Sequence, residues 1–434
     1  MDFDLPSDLV AYLAELDDFI EREIAPLQAQ DDNERYFDHR REWTRTDFGN
    51  GGLPRPEWEA LLADARRRAD RAGHLRFALP SEYGGRDGSN LWMAVIREHL
   101  AARGLGLHND LQNEHSIVAN NPFVLAIRDF GTPAQCDELI QGMLDERVRL
   151  TFGLTEPQHG SDATHMETRA VPEARHGRAG FRIDGEKMWT TGMHTATHCV
   201  LFARTSGRDG DARGISALLV PAQAEGVKIE EYLWTFNMPT DHPRVSFTNV
   251  WVPDDAVLGP LDGGLAIAQH FVHENRIRQA ASSLGAADYC VRESVEYARE
   301  RKPFGEELAR NQGIQFPLVE LATQVEMLRL LIRKTAWQMD QMPKPQVEKQ
   351  LSDKVSMCNY WANRLVCEAA DRAMQVHGGI GYSRHKPFEH IYRHHRRYRI
   401  TEGSEEIQMR KVAGHLFGYM GPNGSRTLKA HEET

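Results

Sequence analysis

Apolar residues recur at helical spacing towards both ends of this 434-residue chain. Four apolar residues near the start are three or four positions apart, as on one face of an amphipathic helix over 5–28: Leu9, Leu13, Leu16 and Ile20. Further helices are predicted before residue 150, over 56–73, 89–104, 115–129 and 133–146. After residue 260 the helical pattern returns, with a stripe typical of a buried bundle face at Leu318, Leu321, Val325, Leu328 and Ile332.

Between about residues 150 and 260 the pattern changes to short apolar runs and alternating positions, which are typical of β-strands. Strands are predicted over 198–203, 215–220 and 245–252. Asp184-Gly185 lies between two further candidate strands. Both residue types favour positive φ, so a hairpin turn is predicted there. The middle of the chain is therefore predicted to be a β domain.

The order helices, strands, helices predicts an α+β fold that is mainly α. We expect a helical domain over 1–150, a β domain over 151–260 and a helical domain over 261–434. Residues 30–55 are charged, aromatic and rich in Gly and Pro, and we expect them to form an ordered excursion on the surface. The sequence has no alternating βαβ pattern, and Gly378-Gly379-Ile380-Gly381 has the wrong spacing for a dinucleotide-binding turn, which argues against a Rossmann fold.

Composition narrows the class of protein. The chain carries 52 Lys and Arg against 63 Asp and Glu, a net charge of −11, which argues against binding nucleic acid or an anionic membrane through bulk charge. Five cysteines without a CxxC pair argue against a disulfide framework and favour a reducing cytoplasm. No stretch of sequence approaches the roughly 18 uninterrupted apolar residues of a membrane span.

Four segments carry candidate chemistry, and the first two are Leu154–Asp162 and Lys187–Gly192. Leu154–Asp162 places threonine and serine hydroxyls and glycine backbone amides in a loop after a strand. Such a loop suits a flavin edge or a pyrophosphate, or is simply a polar turn. Lys187–Gly192 sets an indole beside hydroxyls, either to stack on a planar ligand or to pack a sheet.

The other two segments lie in the C-terminal helical region. In Arg301–Gly305, which Asn311-Gln312 follows, an arginine ends a long helix and can either bind phosphate or cap that helix. The last segment is Gln375–Gly381 followed by Thr401–Gln408. Within it Glu402 and Gly403 precede Ser404, which is the predicted N-cap of a helix running through Leu416.

In this order and spacing, the segments resemble those of the acyl-CoA dehydrogenases over nearly the whole chain, apart from 30–55 and the last dozen residues. The resemblance implies a helical N-terminal domain, a middle β-barrel or β-sandwich domain and a C-terminal four-helix bundle. It also implies FAD as cofactor, an acyl-CoA substrate and an electron-transferring flavoprotein as electron acceptor. A homo-oligomer is implied, usually a dimer of dimers that completes the cofactor site across a subunit boundary. Cytoplasmic fatty acid metabolism is the expected setting.

The resemblance assigns the cofactor residues. Leu154 and Thr155 match positions at the pyrimidine end of the flavin, Trp189 would cover a flavin face, and Thr191 matches the donor to flavin N5. Ser161 matches a pyrophosphate contact and is also assigned to the substrate. The remaining assigned cofactor positions, several of which match contacts with the ADP part in a neighbouring subunit, are Arg301, Phe304, Gln312, Gln375, Gly379, Ser404 and Glu406.

The reaction itself is assigned to Glu402. Removing a proton next to a thioester requires a fixed carboxylate in a water-poor place, and Glu402 aligns with the family's catalytic base. Some branches of the family place the base on the first helix of the C-terminal bundle. The matching residue here is Asn275, and an asparagine cannot act as a base. Glu274 is one residue away, about 100° around that helix. Arg276 is assigned to positioning the substrate.

The expected reaction is the α,β-dehydrogenation of an acyl-CoA to the trans-2-enoyl-CoA, with hydride passing to flavin N5. Two alternatives stay open. The first is an acyl-CoA oxidase or related flavin oxidase or monooxygenase on the same fold, which differs in oxygen access to reduced flavin. The second is a flavin-free binding or scaffold subunit, which a colourless purified protein would favour.

Three other features have structural interpretations. The basic, aromatic stretch 384–399 is predicted to be a solvated or interface helix rather than a nucleic-acid site. His390 and His394 have a spacing that metals can use but lack a third ligand motif, so no metal is predicted. The polar segment Leu111–His115 matches the acyl cavity and indicates a short, branched or functionalised acyl group.

Overall fold

This computed structural model describes residues 4–109 and 115–420, without the side chains of residues 39–41, 270, 271, 273, 274 and 345. Helices occupy both ends of the described chain. Their bounds are α1 Ser7–Phe19, α2 Ala25–Ala29, α3 Pro56–Arg71, α4 Asn90–Ala102, α5 Pro122–Phe130, α6 Pro133–Leu144, α7 Gly264–Glu300, α8 Gln312–Asp340, α9 Lys344–His377, α10 Gly379–Tyr382, α11 Phe388–Tyr398 and α12 Glu405–Leu416. Among these helices, none is both long enough and apolar enough to cross a membrane.

Strands occupy the middle. Their bounds are β1 Thr46–Asp47, β2 Leu53–Pro54, β3 Leu150–Gly153, β4 Arg169–Pro172, β5 Gly180–Lys187, β6 His198–Arg204, β7 Ile215–Pro221, β8 Val227–Tyr232, β9 Pro243–Pro253 and β10 Val257–Leu258. The predicted α+β class is thus confirmed, with helical, β and helical regions following one another along the chain.

The predicted N-terminal helices are confirmed, except for part of the helix over 115–129. α1 and α2 are joined by one π-helical stretch, Ile20–Ile24, so the first predicted helix is continuous. α5 begins only at Pro122, because Asn121 has φ 46°, a left-handed conformation that interrupts an α-helix. Proline suits the first position of a helix, where its missing N–H costs no hydrogen bond.

Residues 30–55 are ordered, as predicted, but they are not only a surface excursion. Two 3₁₀ stretches, Gln30–Tyr36 and His39–Thr44, precede a hairpin of β1 and β2. Tyr36 and Thr46 are buried. At the turn, Gly52 has φ 77°, and a Cβ there would meet the side chains of Met238 and Thr240 at 3.0 and 3.2 Å.

The chain forms two compact units. The helical unit contains the described residues among 1–44, 56–120 and 273–434, and the β unit contains 45–55 and 121–272. The domain boundaries expected at residues 150 and 260 stay a prediction.

In the helical unit, α9 packs against α8, α11 and α12. The predicted stripe of α8 faces the core, since its five residues Leu318, Leu321, Val325, Leu328 and Ile332 are all buried. The last four of them join a cluster with small residues of α7 and α9, such as Ala281 and Ala362, which allow the helices to approach closely.

In the β unit, one sheet has the strand order β10-β7-β6-β4-β5-β9-β8, and β3 pairs in parallel with β6. The prediction of a hairpin turn at Asp184-Gly185 was wrong, because both residues lie inside β5. The register of β5 with β9 shifts between Ile183 and Gly185. This is a β-bulge, which glycine also favours. A Cβ on Gly185 would lie 2.6 Å from the Cα of Thr168, so close approach of the backbone is the reason for this glycine.

Glu405, the first residue of α12, is bound by two arginines. Arg364 of α9 donates through Nε and Nη2 to its two carboxylate oxygens at 3.0 and 3.2 Å. Arg399, which follows α11, donates in the same way at 2.9 and 3.0 Å. Hydrogen bonds from Arg399 and then Arg364 lower the pKa of Glu405 to about 2, although burial opposes the shift.

We expect Glu405→Gln to lower the free energy of unfolding by about 1–3 kcal/mol at pH 7, because charge-assisted hydrogen bonds are lost while both arginines remain partly in water. A lowered carboxyl pKa stabilises the fold above the ordinary pKa of 4.5, and this contribution is lost as the pH falls towards about 2. The difference between wild type and variant should therefore shrink below about pH 4.5. Urea unfolding across pH 3 to 7 measures it.

The matched control is Glu368→Gln, which removes the same charge from an exposed position of α9. We expect it to stay within about 0.5 kcal/mol of wild type at every pH. An equal loss of stability in the two variants would contradict the assignment.

Candidate functional site

Glu402 lies in the short loop between α11 and α12 of the helical unit. Glu402 and the following Gly403 have φ of 57° and 85°, both in the left-handed region. This conformation is uncommon for a residue with a side chain and has to be held by its surroundings. A Cβ on Gly403 would lie 2.7 Å from Nη2 of Arg276. Glycine is therefore required at 403 by both its backbone conformation and its neighbour.

Arg276 of α7 holds this loop. Its Nε and Nη2 donate to the main-chain carbonyl oxygen of Glu402 at 2.9 and 2.5 Å. Burial lowers the pKa of Arg276, while the negative charge of Glu402 raises it. A guanidinium nevertheless stays charged in proteins. The predicted base and the predicted positioning arginine are thus in contact, through the main chain of Glu402. Contact of Arg276 with a substrate stays a prediction.

Ser404 is the N-cap of α12, as predicted. Its hydroxyl oxygen accepts the N–H of Ile407 at 3.5 Å, and α12 ends at Leu416. Glu406, an expected cofactor contact, is exposed in the first turn of the helix. Asn275, the residue at the alternative base position, is half-buried.

The other candidate residues of the helical unit are exposed. Arg301 follows α7, Gln312 begins α8, and Gln375 lies near the end of α9. Phe304 is completely exposed with φ 56°, and the position of Gly379 has open space where a Cβ would be. These residues can therefore meet another molecule, which their assignment to the cofactor requires.

In the β unit, a buried ion pair fixes the Leu154–Asp162 loop. Nζ of Lys187 donates to Oε1 of Glu156 at 2.7 Å and to the carbonyl oxygen of Leu154 at 3.0 Å. Glu156 also accepts the main-chain N–H groups of Glu167 and Thr168 at 2.5 and 2.9 Å. Burial acts to raise the pKa of Glu156, but Lys187 and these donors lower it below its ordinary value. The carboxylate is therefore charged, and breaking the pair would leave a buried charge uncompensated.

The two β-unit segments are joined at Thr155, whose carbonyl oxygen accepts the N–H of Met188 at 2.8 Å. The Thr155 side chain is half-buried, and Ser161 further along the loop is exposed. Trp189 is 46% exposed with φ 62°, so its indole is available to a planar ligand.

Thr191 has a partner that the sequence did not indicate. Its Oγ1 lies 2.8 Å from Nδ1 of His242, and its carbonyl oxygen accepts the hydroxyl of Thr151 at 2.5 Å. Oδ1 of Asp241 lies 3.2 Å from the same His242 nitrogen. His242 is 51 residues from Thr191, and a lone histidine after a loop carries no motif. Only the fold brings it to the threonine.

The remaining predicted features are structural or lie outside the described residues. Leu111–Glu114 are not among the described residues. His115 is buried with Nε2 3.1 Å from the carbonyl oxygen of Leu107, and burial lowers its pKa to about 3. Among the described residues, no group of three or more His, Cys, Asp or Glu side chains is placed to hold a metal ion.

The basic stretch 384–399 differs from the prediction of a solvated or interface helix. Only Phe388–Tyr398 is helical, and one face of this helix is buried, including His390 and His394. Nε2 of His394 lies 3.1 Å from the Tyr398 hydroxyl. One face of this helix is therefore part of the core of the helical unit, while the rest of the stretch is half-buried or exposed.

Comparison with known proteins shows one family over most of the chain. The N-terminal, middle and C-terminal domains of acyl-CoA dehydrogenase match residues 54–147, 151–250 and 262–417. The 3-(aryl)acrylate reductase of Clostridium sporogenes is 30% identical over 347 residues, which cover 79% of this chain and 87% of that protein. The CarC subunit of the caffeyl-CoA reductase–Etf complex of Acetobacterium woodii is 29% identical with the same coverage.

Solved structures agree. A glutaryl-coenzyme A dehydrogenase in complex with glutaryl-CoA has a TM-score of 0.76 and 25% identity, with 98% of each chain covered. An FAD complex of PigA shares the fold at 18% identity, with a TM-score of 0.75 and coverage of 96% of this chain and 99% of that one. These matches, together with the domain matches along the chain, identify the protein as a member of the FAD-dependent acyl-CoA dehydrogenase family.

Proposed function

We propose that this protein oxidises an acyl-CoA thioester to the trans-2-enoyl-CoA, with Glu402 as the general base. The observation that carries the proposal is the fixed main chain of Glu402. Its carbonyl oxygen is bound by two guanidinium N–H groups, while its side chain is only half-buried. A glutamate whose main chain is fixed and whose side chain is partly exposed meets the first requirement for proton abstraction, which is geometric.

In this proposal the Glu402 carboxylate takes the proton from the carbon next to the thioester carbonyl. The Glu402 N–H donates to that carbonyl oxygen and stabilises the negative charge that develops there. Arg276 does not take the proton, because its guanidinium has no acceptor atom. Its role is to keep the peptide group between Glu402 and Gly403 in one orientation.

FAD, when bound, supplies the acceptor for the hydride from the neighbouring carbon. In the β unit we assign it to Leu154, Thr155, Ser161, Trp189 and Thr191, and Ser161 also to the substrate. In the helical unit we assign it to Arg301, Phe304, Gln312, Gln375, Gly379, Ser404 and Glu406. Trp189 and Phe304 are exposed, so both rings are accessible to a ligand, which these assignments require.

The reverse reaction is the second candidate. The two relatives named above are a 3-(aryl)acrylate reductase and a subunit of a caffeyl-CoA reductase–Etf complex. In that direction the same Glu402, protonated, would return the proton to the substrate. The second name also supports an electron-transferring flavoprotein as the electron partner.

We also propose that the protein is a homo-oligomer. α8 carries a second apolar stripe, the outer face of α8, whose members are exposed in the single chain: Phe316, Val319, Met327, Leu330 and Trp337. A contiguous exposed stripe of this kind marks a protein interface. The exposed candidate cofactor residues of the helical unit are consistent with a site that a second subunit completes.

We expect Glu402→Gln to fold and to bind FAD, because Arg276 binds the main chain of residue 402 and not its side chain. Bleaching of bound flavin by an acyl-CoA thioester should slow by about 10²- to 10⁴-fold, the usual range for general acid–base catalysis. Stopped-flow absorbance near 450 nm under anaerobic conditions measures it. Glu368→Gln is the control, and wild-type bleaching in Glu402→Gln would refute the base assignment.

The direction of the reaction follows from a panel of thioesters. Saturated butyryl-, glutaryl- and 3-phenylpropionyl-CoA are mixed anaerobically with the oxidised protein, and cinnamoyl-CoA with the reduced protein. We expect at least one saturated thioester to bleach the flavin. Bleaching by none of them, together with reoxidation by cinnamoyl-CoA, would favour the reductase. Rapid reoxidation by air with peroxide release would favour an oxidase.

Charging the outer face of α8 should dissociate the oligomer. We expect Met327→Glu with Leu330→Glu to lower the mass measured by light scattering, since burying two carboxylates in an apolar interface is strongly unfavourable. Val10→Glu, at a similarly exposed apolar position of α1, is the control and should keep the wild-type mass. An unchanged mass in the double variant would contradict this interface.

A further inference from the structure

Completely buried, uncharged side chains connect α7, α9, α11 and α12 beside the Glu402 loop. We call this set the amide network, and its members are Ser283, Asn359, Asn363, His395 and Gln408. Buried polar groups are costly unless they find partners. Most polar side-chain atoms of this set are hydrogen-bonded, while Oε1 of Gln408 and Nε2 of His395 have no partner among the described residues. The hydrogen bonds of the network define which main-chain groups it restrains.

Asn359 is the centre of the amide network. Its Oδ1 accepts Nδ2 of Asn363 at 3.1 Å and Nε2 of Gln408 at 3.0 Å. Its Nδ2 donates to the main-chain carbonyl oxygen of Arg276 at 2.9 Å and to Oε1 of Gln279 at 3.4 Å. The side chain thus makes four hydrogen bonds, the full capacity of an asparagine amide.

The network reaches the main chain on both sides of Glu402. Nε2 of Gln408 donates to the carbonyl oxygen of Gly403 at 2.8 Å. Nδ2 of Asn363 donates to the carbonyl oxygen of Tyr398, the last residue of α11, at 3.1 Å. Since Asn359 also holds the backbone of Arg276, whose guanidinium binds the Glu402 carbonyl oxygen, the hydrogen bonds form a closed ring that contains Glu402 and Gly403.

Ser283 and His395, which join the network through Asn363, are uncharged as well. The Ser283 hydroxyl donates to Oδ1 of Asn363 at 2.6 Å, so its oxygen is left to accept Nδ1–H of His395 at 2.9 Å. Burial lowers the pKa of His395 to about 3, so the ring is uncharged at neutral pH. The network therefore restrains the loop without placing a further charge next to the Glu402 carboxylate.

We infer that Asn359 and Gln408 are positioning residues for Glu402. Gln408 holds the carbonyl oxygen of Gly403 directly. Asn359 binds Gln408 and the main chain of Arg276, whose guanidinium holds the carbonyl oxygen of Glu402. Neither residue carries a charge or touches the reacting atoms in this scheme. The inference rests on the proposed role of Glu402 as the base, and it deepens that role by naming what keeps the base in place.

The test uses the full-length protein with its flavin and compares Gln408→Met and Asn359→Leu with wild type. Both replacements keep the approximate volume and remove the hydrogen bonds. With the thioester that reacts best, kcat should fall by about 10- to 100-fold while KM changes by less than about threefold, because misplacing a catalytic group by about 1 Å has effects of this order. The isotope effect of α-deuterated substrate on kcat should rise, because proton removal becomes slower.

The matched control is Ser356→Ala. Ser356 is completely buried on the same helix as Asn359, but among the described residues its hydroxyl bonds only to the carbonyl oxygen of Ser352 in that helix, at 2.7 Å. We expect the control to keep kcat within about twofold of wild type, since a bond within one helix does not reach the loop. Network variants that retain the kcat of the control would overturn the inference.

A second measurement does not depend on catalysis. Hydrogen–deuterium exchange followed by mass spectrometry should show peptides over 399–408 exchanging about tenfold faster in Gln408→Met than in Ser356→Ala. Equal exchange in the two variants would overturn the inference, and so would a loss of activity without faster exchange. If Gln408→Met does not fold, Gln408→Glu, which is isosteric and lacks the amide donors, replaces it in both measurements.

The experiment also separates the inference from the proposed function. Glu402→Gln is measured beside the network variants. Retained activity in Glu402→Gln refutes the role of the base, and with it the positioning of a base. Loss of activity in Glu402→Gln, with normal kcat and normal exchange in the network variants, refutes the positioning role alone.

Discussion

The main-chain carbonyl oxygen of Glu402 is the atom on which the candidate active-site loop depends. It accepts two N–H groups from one buried guanidinium, a geometry that a freely moving loop would not keep. Gly403 has to be a glycine because the same guanidinium occupies the space of a side chain. The left-handed conformation of Glu402, the absence of a side chain at 403 and the burial of Arg276 are therefore consequences of one interaction.

In the β unit a different kind of interaction holds the candidate cofactor loop in place. There the candidate cofactor loop is held by a buried charge pair, Lys187 with Glu156, whose carboxylate also accepts two main-chain N–H groups. Charge suits that position, because the pair is fully neutralised and the expected ligand contacts come from neighbouring hydroxyls. At the Glu402 loop the helical unit combines the Arg276 guanidinium with the neutral amide network, which adds no further charge that would alter the proton affinity of the carboxylate.

Local patterns in the sequence predicted much of this fold. The 3–4 spacing of apolar residues gave the buried stripe of α8, and Ser404 gave the start of α12, because both signals depend on neighbours within a few positions. The same locality explains the errors. Asp184-Gly185 has the composition of a hairpin turn, but pairing with β9 and the closeness of Thr168 place it inside a strand. The sequence of α11 suggested a solvated or interface helix, and only the packing of the helical unit buries histidines such as His390 and His394.

The candidate site shows the same limit. Arg276 and Glu402 could be named from motifs, but their contact spans 126 positions and involves a carbonyl oxygen, which has no signature in the sequence. Asn359 and His242 lie in none of the four motif segments, and Gln408 ends the Thr401–Gln408 segment without a role assigned to it from the sequence. Their roles follow from partners that the fold brings near, so they become visible only once the helices and strands are in place.

The attachment of Glu402 through its backbone has a practical consequence for protein engineering. The arginine and amide contacts at this loop use peptide oxygens, so they are indifferent to the chemical identity of the group at 402. A cysteine, a histidine or an aspartate at position 402 would therefore have a main chain that is already held in place. Position 402 is therefore a suitable site for installing a different catalytic side chain, provided that Gly403 is kept.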